Sequence, residues 1–238
     1  MIIGVNHPIY QNRLRSLKLA NRYNGAFYYA KEIEQNIIPL VNTDRSWVLS
    51  NAGICEDRAI VFIHDNKTSA ITYNWLKGYK DLILVCGIPE TRKKVEHLGT
   101  PIYLPLSIDV EYVQQFESDY KPHNYAYAGR PGKKQGTRLP YDCPSLSGMP
   151  REQLLKAMAS FETIFAVGRT AIEARALGCK IGVYDQRFPD ASVWKVVDNR
   201  DAARMLQDEL NIIDKEKKLR EADESYNPFR LAPTEFYN

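Results

Sequence analysis

Hydrophobic and polar positions alternate along this chain in two rhythms. Compact apolar runs rich in Ile, Val, Leu and Tyr fall at residues 2–5, 26–29, 59–63, 82–85, 102–104, 125–128, 164–167 and 181–184. Runs this short and this continuous have the form of strands buried on both faces. Between them, residues 13–23, 69–79, 90–98, 151–160, 170–177 and 202–210 carry helical composition or spacing. Pro89 and Pro150 suit helix starts, and Gly99 and Gly178 suit helix stops. Alternation of this kind predicts parallel sheets covered by helices.

The rhythm changes near residues 106–124. Leu106-Ser107-Ile108-Asp109 leaves the last strand of the first half, residues 110–117 read as a connecting helix, and Asp119-Tyr120-Lys121-Pro122-His123-Asn124 is polar and broken by proline. A new strand begins at Tyr125. The expected fold class is α/β, as two Rossmann-like domains whose parallel sheets face each other across a cleft. The expected boundaries are a first domain over 1–109, a linker over 110–124, a second domain over 125–213 and a charged tail over 214–238. Within that tail, residues 214–224 read as a solvated surface helix.

Charge narrows the chemistry. A formal net charge of +3, from 32 basic and 29 acidic residues, provides no global field for nucleic acid or for an anionic membrane, so an anion site has to be local. The four cysteines, Cys55, Cys86, Cys143 and Cys179, form no C-x-x-C pair and read as buried reduced thiols. No zinc or EF-hand spacing occurs, so no metal is expected. The opening residues lack the make-up of a signal peptide and no apolar run approaches the length of a membrane span. Together these features predict a cytoplasmic protein.

The most informative stretch runs from Thr163 to Asp185. Thr163-Ile164-Phe165-Ala166-Val167 reads as a buried strand, Gly168 lets the backbone turn, and Thr170 is the expected N-cap of a helix that stops at Gly178 before the next strand. Ligands of open α/β sheets dock at such strand ends, where the free N–H groups of a helix favour phosphate. Glu173, in the first turn, is placed to accept hydrogen bonds from a ribose. The first strand lacks the G-x-G-x-x-G fingerprint, which argues against an ordinary dinucleotide site.

Four segments of the second half resemble the nucleotide-sugar domain of GT-B-fold glycosyltransferases of the group 1 type. They are Leu104-Pro105-Leu106-Ser107-Ile108-Asp109, Tyr127-Ala128-Gly129-Arg130 with Lys133-Lys134-Gln135-Gly136, Gly148-Met149-Pro150-Arg151-Glu152-Gln153-Leu154, and Glu173-Ala174-Arg175-Ala176-Leu177-Gly178-Cys179-Lys180-Ile181. Their order and approximate spacing agree with the family over residues 100–200. The resemblance implies that Gly129, Arg130 and Lys134 would contact the donor diphosphate and that Glu173 would hold the ribose. Fixed cations suit that task, because a departing nucleoside diphosphate gathers negative charge that they stabilise without a metal. The chain departs from the family at Phe165, where many retaining members carry a second glutamate, and at Ala166-Val167-Gly168-Arg169, which replaces a Gly-Phe-Gly run. Arg169 supplies a cation in that replacement.

In the first half, His7 follows the first predicted strand, and His64 and Asp65 follow the strand at 59–63. A base near an acceptor hydroxyl, or a cation polarising a leaving phosphate, suits such positions, and His64 matches a histidine often found there in the family. The expectation is a metal-independent glycosyltransferase that moves a sugar from a nucleotide-diphosphate donor to an unidentified hydroxyl acceptor. No cofactor is expected beyond that small-molecule nucleotide sugar; the partner expectation is a homo-oligomer or a partner subunit, and the short chain leaves room for a partner to complete the site. Two rivals accompany it: a non-catalytic nucleotide-sugar or phosphate-binding protein on the same scaffold, and a sugar-nucleotide epimerase.

Overall fold

Extended apolar segments satisfy their backbone groups by pairing side by side, and all the described strands do so in parallel. The computed structural model describes residues 36–40, 59–63, 82–129 and 138–225. β1 (Asn36–Leu40), β2 (Ala59–Ile63), β3 (Leu82–Cys86) and β4 (Thr100–Tyr103) form one sheet in that spatial order. β5 (His123–Tyr127), β6 (Phe161–Phe165) and β7 (Lys180–Gly182) form a second. The helices are α1 (Pro89–Val95), α2 (Val110–Gln114), α3 (Arg151–Ala159), α4 (Arg169–Ala176) and α5 (Asn199–Ser225). The protein is thus a mixed α/β chain with parallel strands in two small sheets, compatible with Rossmann-like character.

Most predicted elements within the described residues are present, with shifted ends. The strand at Asn36–Leu40 was not expected, since Pro39 argues against a ladder position. β1 lies at the edge of the described sheet, where a missing N–H is tolerated. β5 begins at His123 rather than Tyr125, inside the expected linker, and β7 ends at Gly182 rather than Tyr184. The connecting helix is shorter than expected and closes at Gln114, after Asp109 caps it by accepting from the Tyr112 N–H at 3.0 Å. The expected helix at 202–210 and the charged segment after it are one helix of 27 residues, because neither glycine nor proline interrupts them. Ala202, Leu206 and Leu210 bury its first half, whereas residues 215–223 are exposed, as predicted for a solvated helix. Among the described residues no helix is long and apolar enough to cross a membrane. The predicted elements at 2–5, 13–23, 26–29 and 69–79 lie outside the described residues.

The two faces of the second sheet differ. Ala126, Ala128, Ile164 and Ala166 join Leu155, Met158, Ala171 and Ile172 of α3 and α4 in the main core. These small side chains let the helices lie close to the strands. The opposite face carries Tyr125, Tyr127, Phe165 and Tyr184, packed with Leu139 and Cys143 from the loop that precedes α3. That loop runs beside β5, since Tyr127 donates to the Pro144 carbonyl and accepts from the Leu146 N–H, both at 2.8 Å. Gly182 is required here, because a Cβ would overlap the Phe165 ring.

The connection between the sheets is buried. Leu104, Leu106 and Ile108 share one core cluster with Ile83 and Ile102 of the first sheet and with the α3–α4 layer of the second. Ile108 accepts from the Asn199 N–H at 2.9 Å and donates to the Val197 carbonyl at 3.1 Å, so the return chain crosses beside the outgoing one. At the far end of α4, the Gly178 N–H bonds the Arg175 carbonyl and the Cys179 N–H bonds the Ala174 carbonyl, both at 3.0 Å. With Gly178 at φ +74° this is a Schellman stop. Lys121 completes it, donating to the carbonyls of Leu177 and Ala159 at the last turns of α4 and α3. Cys86, Cys143 and Cys179 are buried and form no disulfide, and burial pushes the Cys86 thiol up to about 12, far from the thiolate form.

Candidate functional site

Parallel strands bring their carboxyl ends to one edge, and in the second sheet that edge gathers the charged side chains of interest. β5 ends just before Gly129, β6 leads through Gly168 into α4, and β7 leads to Asp185. Both connecting helices, α3 and α4, begin at this edge. Gly129 follows β5 under the Tyr127 hydroxyl so closely that a Cβ would overlap it. Tyr127 and Tyr184 meet edge to face with ring centroids 5.3 Å apart, and burial raises the Tyr184 phenol well above its usual range.

The helix after β6 starts differently from the sequence reading. Its N-cap is Gly168, at φ +66° and ψ −143°, and not Thr170, which is the second helical residue. That conformation is costly for any residue with a Cβ, and so the chain has glycine there. Glycine at the cap has no side chain with which to bond the first N–H groups of α4. Arg169 becomes the first helical residue, and Glu173 sits one turn along on the same side.

Glu173 is buried, with 3% of its surface exposed, and is tied to two cations. Its Oε1 accepts from Arg169 Nε at 2.9 Å and forms a salt bridge with Arg151 Nη1, 2.7 Å away. Arg151 is the first residue of α3 and also stacks over the Tyr112 ring of α2, 5.7 Å from the centroid. The group therefore joins three helices and carries two positive charges to one negative. A carboxylate accepts about four hydrogen bonds, so two guanidinium contacts do not exhaust it.

A second buried carboxylate lies at the same edge. Asp185, also 3% exposed, receives Arg187 Nη2 at 2.6 Å, Arg187 Nε at 3.0 Å and the Arg187 backbone N–H at 3.0 Å. These hydrogen bonds hold its carboxyl below the usual carboxylate range.

No family model, no curated protein and no solved structure matches this chain. The site is therefore judged on its own chemistry. Of the predicted donor residues, Gly129, Arg169, Thr170 and Glu173 fall at the carboxyl edge of the second sheet, whereas Arg130 and Lys134 lie outside the described residues. His7, His64 and Asp65 lie outside them as well. Among the described residues no group of three or more His, Cys, Asp or Glu is placed to hold a metal.

Sequence reasoning missed Arg151, Asp185 and Arg187. A signal existed for the first: Pro150-Arg151 and Gly168-Arg169 each put a cation at the start of a helix. The dipole there disfavours a cation by about 0.3–1 kcal/mol. Two placements against the dipole point to a compensating anion.

Proposed function

We propose that this chain is a metal-independent glycosyltransferase of GT-B type, binding a nucleotide-diphosphate sugar at the carboxyl edge of its second sheet and passing the sugar to a hydroxyl acceptor. The observation that carries the reading is the Arg151–Glu173–Arg169 group at the starts of α3 and α4. It sets two guanidiniums beside a buried carboxylate one helical turn from the start of α4. A diphosphate needs the former and a ribose diol the latter. Thr170 lies in the same first turn.

In this reading Arg130 and Lys134, which follow Gly129 in the sequence, add to the diphosphate contacts, and residues 125–213 form the donor domain. Residues 1–109 form the acceptor side, with His64 or Asp65 taking the proton of the acceptor hydroxyl and His7 at the cleft edge. Fixed guanidinium groups stabilise the charge that builds on the leaving diphosphate, and closure of the two halves keeps water from the donor.

A second reading is favoured by Phe165. At the position where many retaining members carry a glutamate, its ring packs over Gly182 and meets Tyr125 at 6.2 Å between centroids. A chain that kept the donor site and lost that carboxylate would bind a nucleotide sugar without turning it over. Release of nucleoside diphosphate from UDP-, GDP-, CDP- and ADP-sugars, with and without a panel of hydroxyl acceptors, separates the two. Acceptor-dependent release supports the transferase; binding of a donor with no release supports the binding protein; interconversion of the sugar without an acceptor supports an epimerase.

A further inference from the structure

Arg151 has no part in the donor contacts that the family resemblance implies, yet it makes the shorter of the two salt bridges to Glu173, at 2.7 Å against 2.9 Å for Arg169. One bidentate arginine satisfies a buried carboxylate, as Arg187 does for Asp185. Glu173 instead meets two guanidiniums from two helices, and Arg151 approaches it through Nη1. The side chain of Arg151 stays 40% exposed, and its guanidinium is fixed from one side by the Tyr112 ring. A cation fixed at its inner edge and open at its outer edge is preorganised for a second anion. Its position at the start of α3 adds the positive end of that helix to the same spot.

We infer that Arg151 is a diphosphate-positioning residue, bridging Glu173 and a phosphoryl group of the donor, with Tyr112 fixing the plane of its guanidinium. This deepens the donor-site reading above and rests on it. It assigns the second sheet a diphosphate contact from α3, in addition to those from α4 and from the loop after β5. A cation that bridges carboxylate and phosphate also couples the two ends of the ligand, since the ribose partner and the diphosphate partner are then held as one unit.

The test is calorimetric titration of the full chain with UDP and GDP, with uridine and guanosine, and with inorganic pyrophosphate, for wild type, Arg151→Gln and Arg151→Lys. Loss of a charge-assisted contact should raise Kd for the diphosphates and for pyrophosphate by roughly ten- to a hundredfold in Arg151→Gln. The Kd for the matching nucleoside should stay within about twofold, and Arg151→Lys should recover part of the loss, because it restores charge without the fork. Equal weakening of diphosphate and nucleoside would assign Arg151 a merely structural role and overturn the inference. So would an unchanged diphosphate affinity in Arg151→Gln; if that variant fails to fold, Arg151→Lys should still weaken diphosphate more than nucleoside because it lacks the fork, and equal weakening of both would overturn the inference. Failure of wild type to bind any of the probes would instead remove the donor-site reading itself, and the inference with it.

Discussion

Glu173 and Asp185 are buried to the same degree at the same edge of the same sheet, and their partners are arranged differently. Asp185 is served by a residue two positions along, through both its side chain and its backbone N–H. That pair is local, neutral in sum, and completes a turn after β7. Glu173 is served by two arginines from two helices, one of them 22 positions away in sequence, as the numbers 151 and 173 give. That group ties α3 to α4. The local pair closes a turn, whereas the non-local group fixes two cations at the starts of two helices. The comparison favours the strand end after β6 for the proposed donor site.

The largest effect expected from breaking it is at Glu173. Glu173→Ala leaves two partly exposed guanidiniums without their shared carboxylate and should cost about 3 kcal/mol in chemical denaturation, the low end for removing one member of a buried ion pair, because both partners keep access to water. Glu173→Gln, which keeps the shape and some hydrogen bonding, should cost less. Asp185→Asn should cost about 1–3 kcal/mol, because Arg187 is half exposed and regains water when its partner is lost.

Acidity sharpens the same contrast. The folded carboxyl of Asp185 titrates below its ordinary value of 3.8, so its contribution is fully present above that value and is lost as pH falls through the lower folded value. Denaturation measured between about pH 4 and pH 2 should therefore be less pH-dependent in Asp185→Asn than in wild type. An identical slope would show that Arg187 does not hold the carboxylate in solution.

Backbone substitutions separate the two strand ends by another route. Gly168→Ala places a Cβ in open space but forces the φ +66° conformation on it, at a cost of about 1–3 kcal/mol. Gly182→Ala, in contrast, drives a Cβ into the Phe165 ring at a cost of about 1–3 kcal/mol, which Phe165→Leu should partly relieve. Relief at 182 and none at 168 in thermal melts of the double variants would confirm that one site is governed by packing and the other by conformation. The smallest effect should come from Arg204→Ala, whose exposed pair with Asp201 is worth within about 0.5 kcal/mol.

Much of this arrangement was legible before any coordinates. Periodicity located β2 to β7 within a few residues, and Gly178 marked the end of α4 for the reason observed, a left-handed stop. The cap of α4 was misplaced because Thr170 has the favoured side chain, whereas the turn is decided by the backbone of Gly168. The edge strand at Asn36–Leu40 was hidden by Pro39, whose penalty depends on which side of the strand is paired. Within the site, Glu173 could be read from the sequence because its significance is local to one helical turn. Arg151 showed only as a cation set against a helix dipole, and its pairing with Glu173 exists only once α3 and α4 lie side by side on Ala126 and Ile164.

The central claim is that the edge carrying Glu173 binds a nucleoside diphosphate, and thermal unfolding in the presence of UDP, GDP, CDP, ADP and their sugar conjugates tests it most directly. A ligand that binds only the folded chain must raise its Tm. The account predicts a rise with one base, retained in Asp185→Asn and lost in Glu173→Gln. No rise with any of them in folded wild-type protein, or a rise that Glu173→Gln leaves intact, would contradict it.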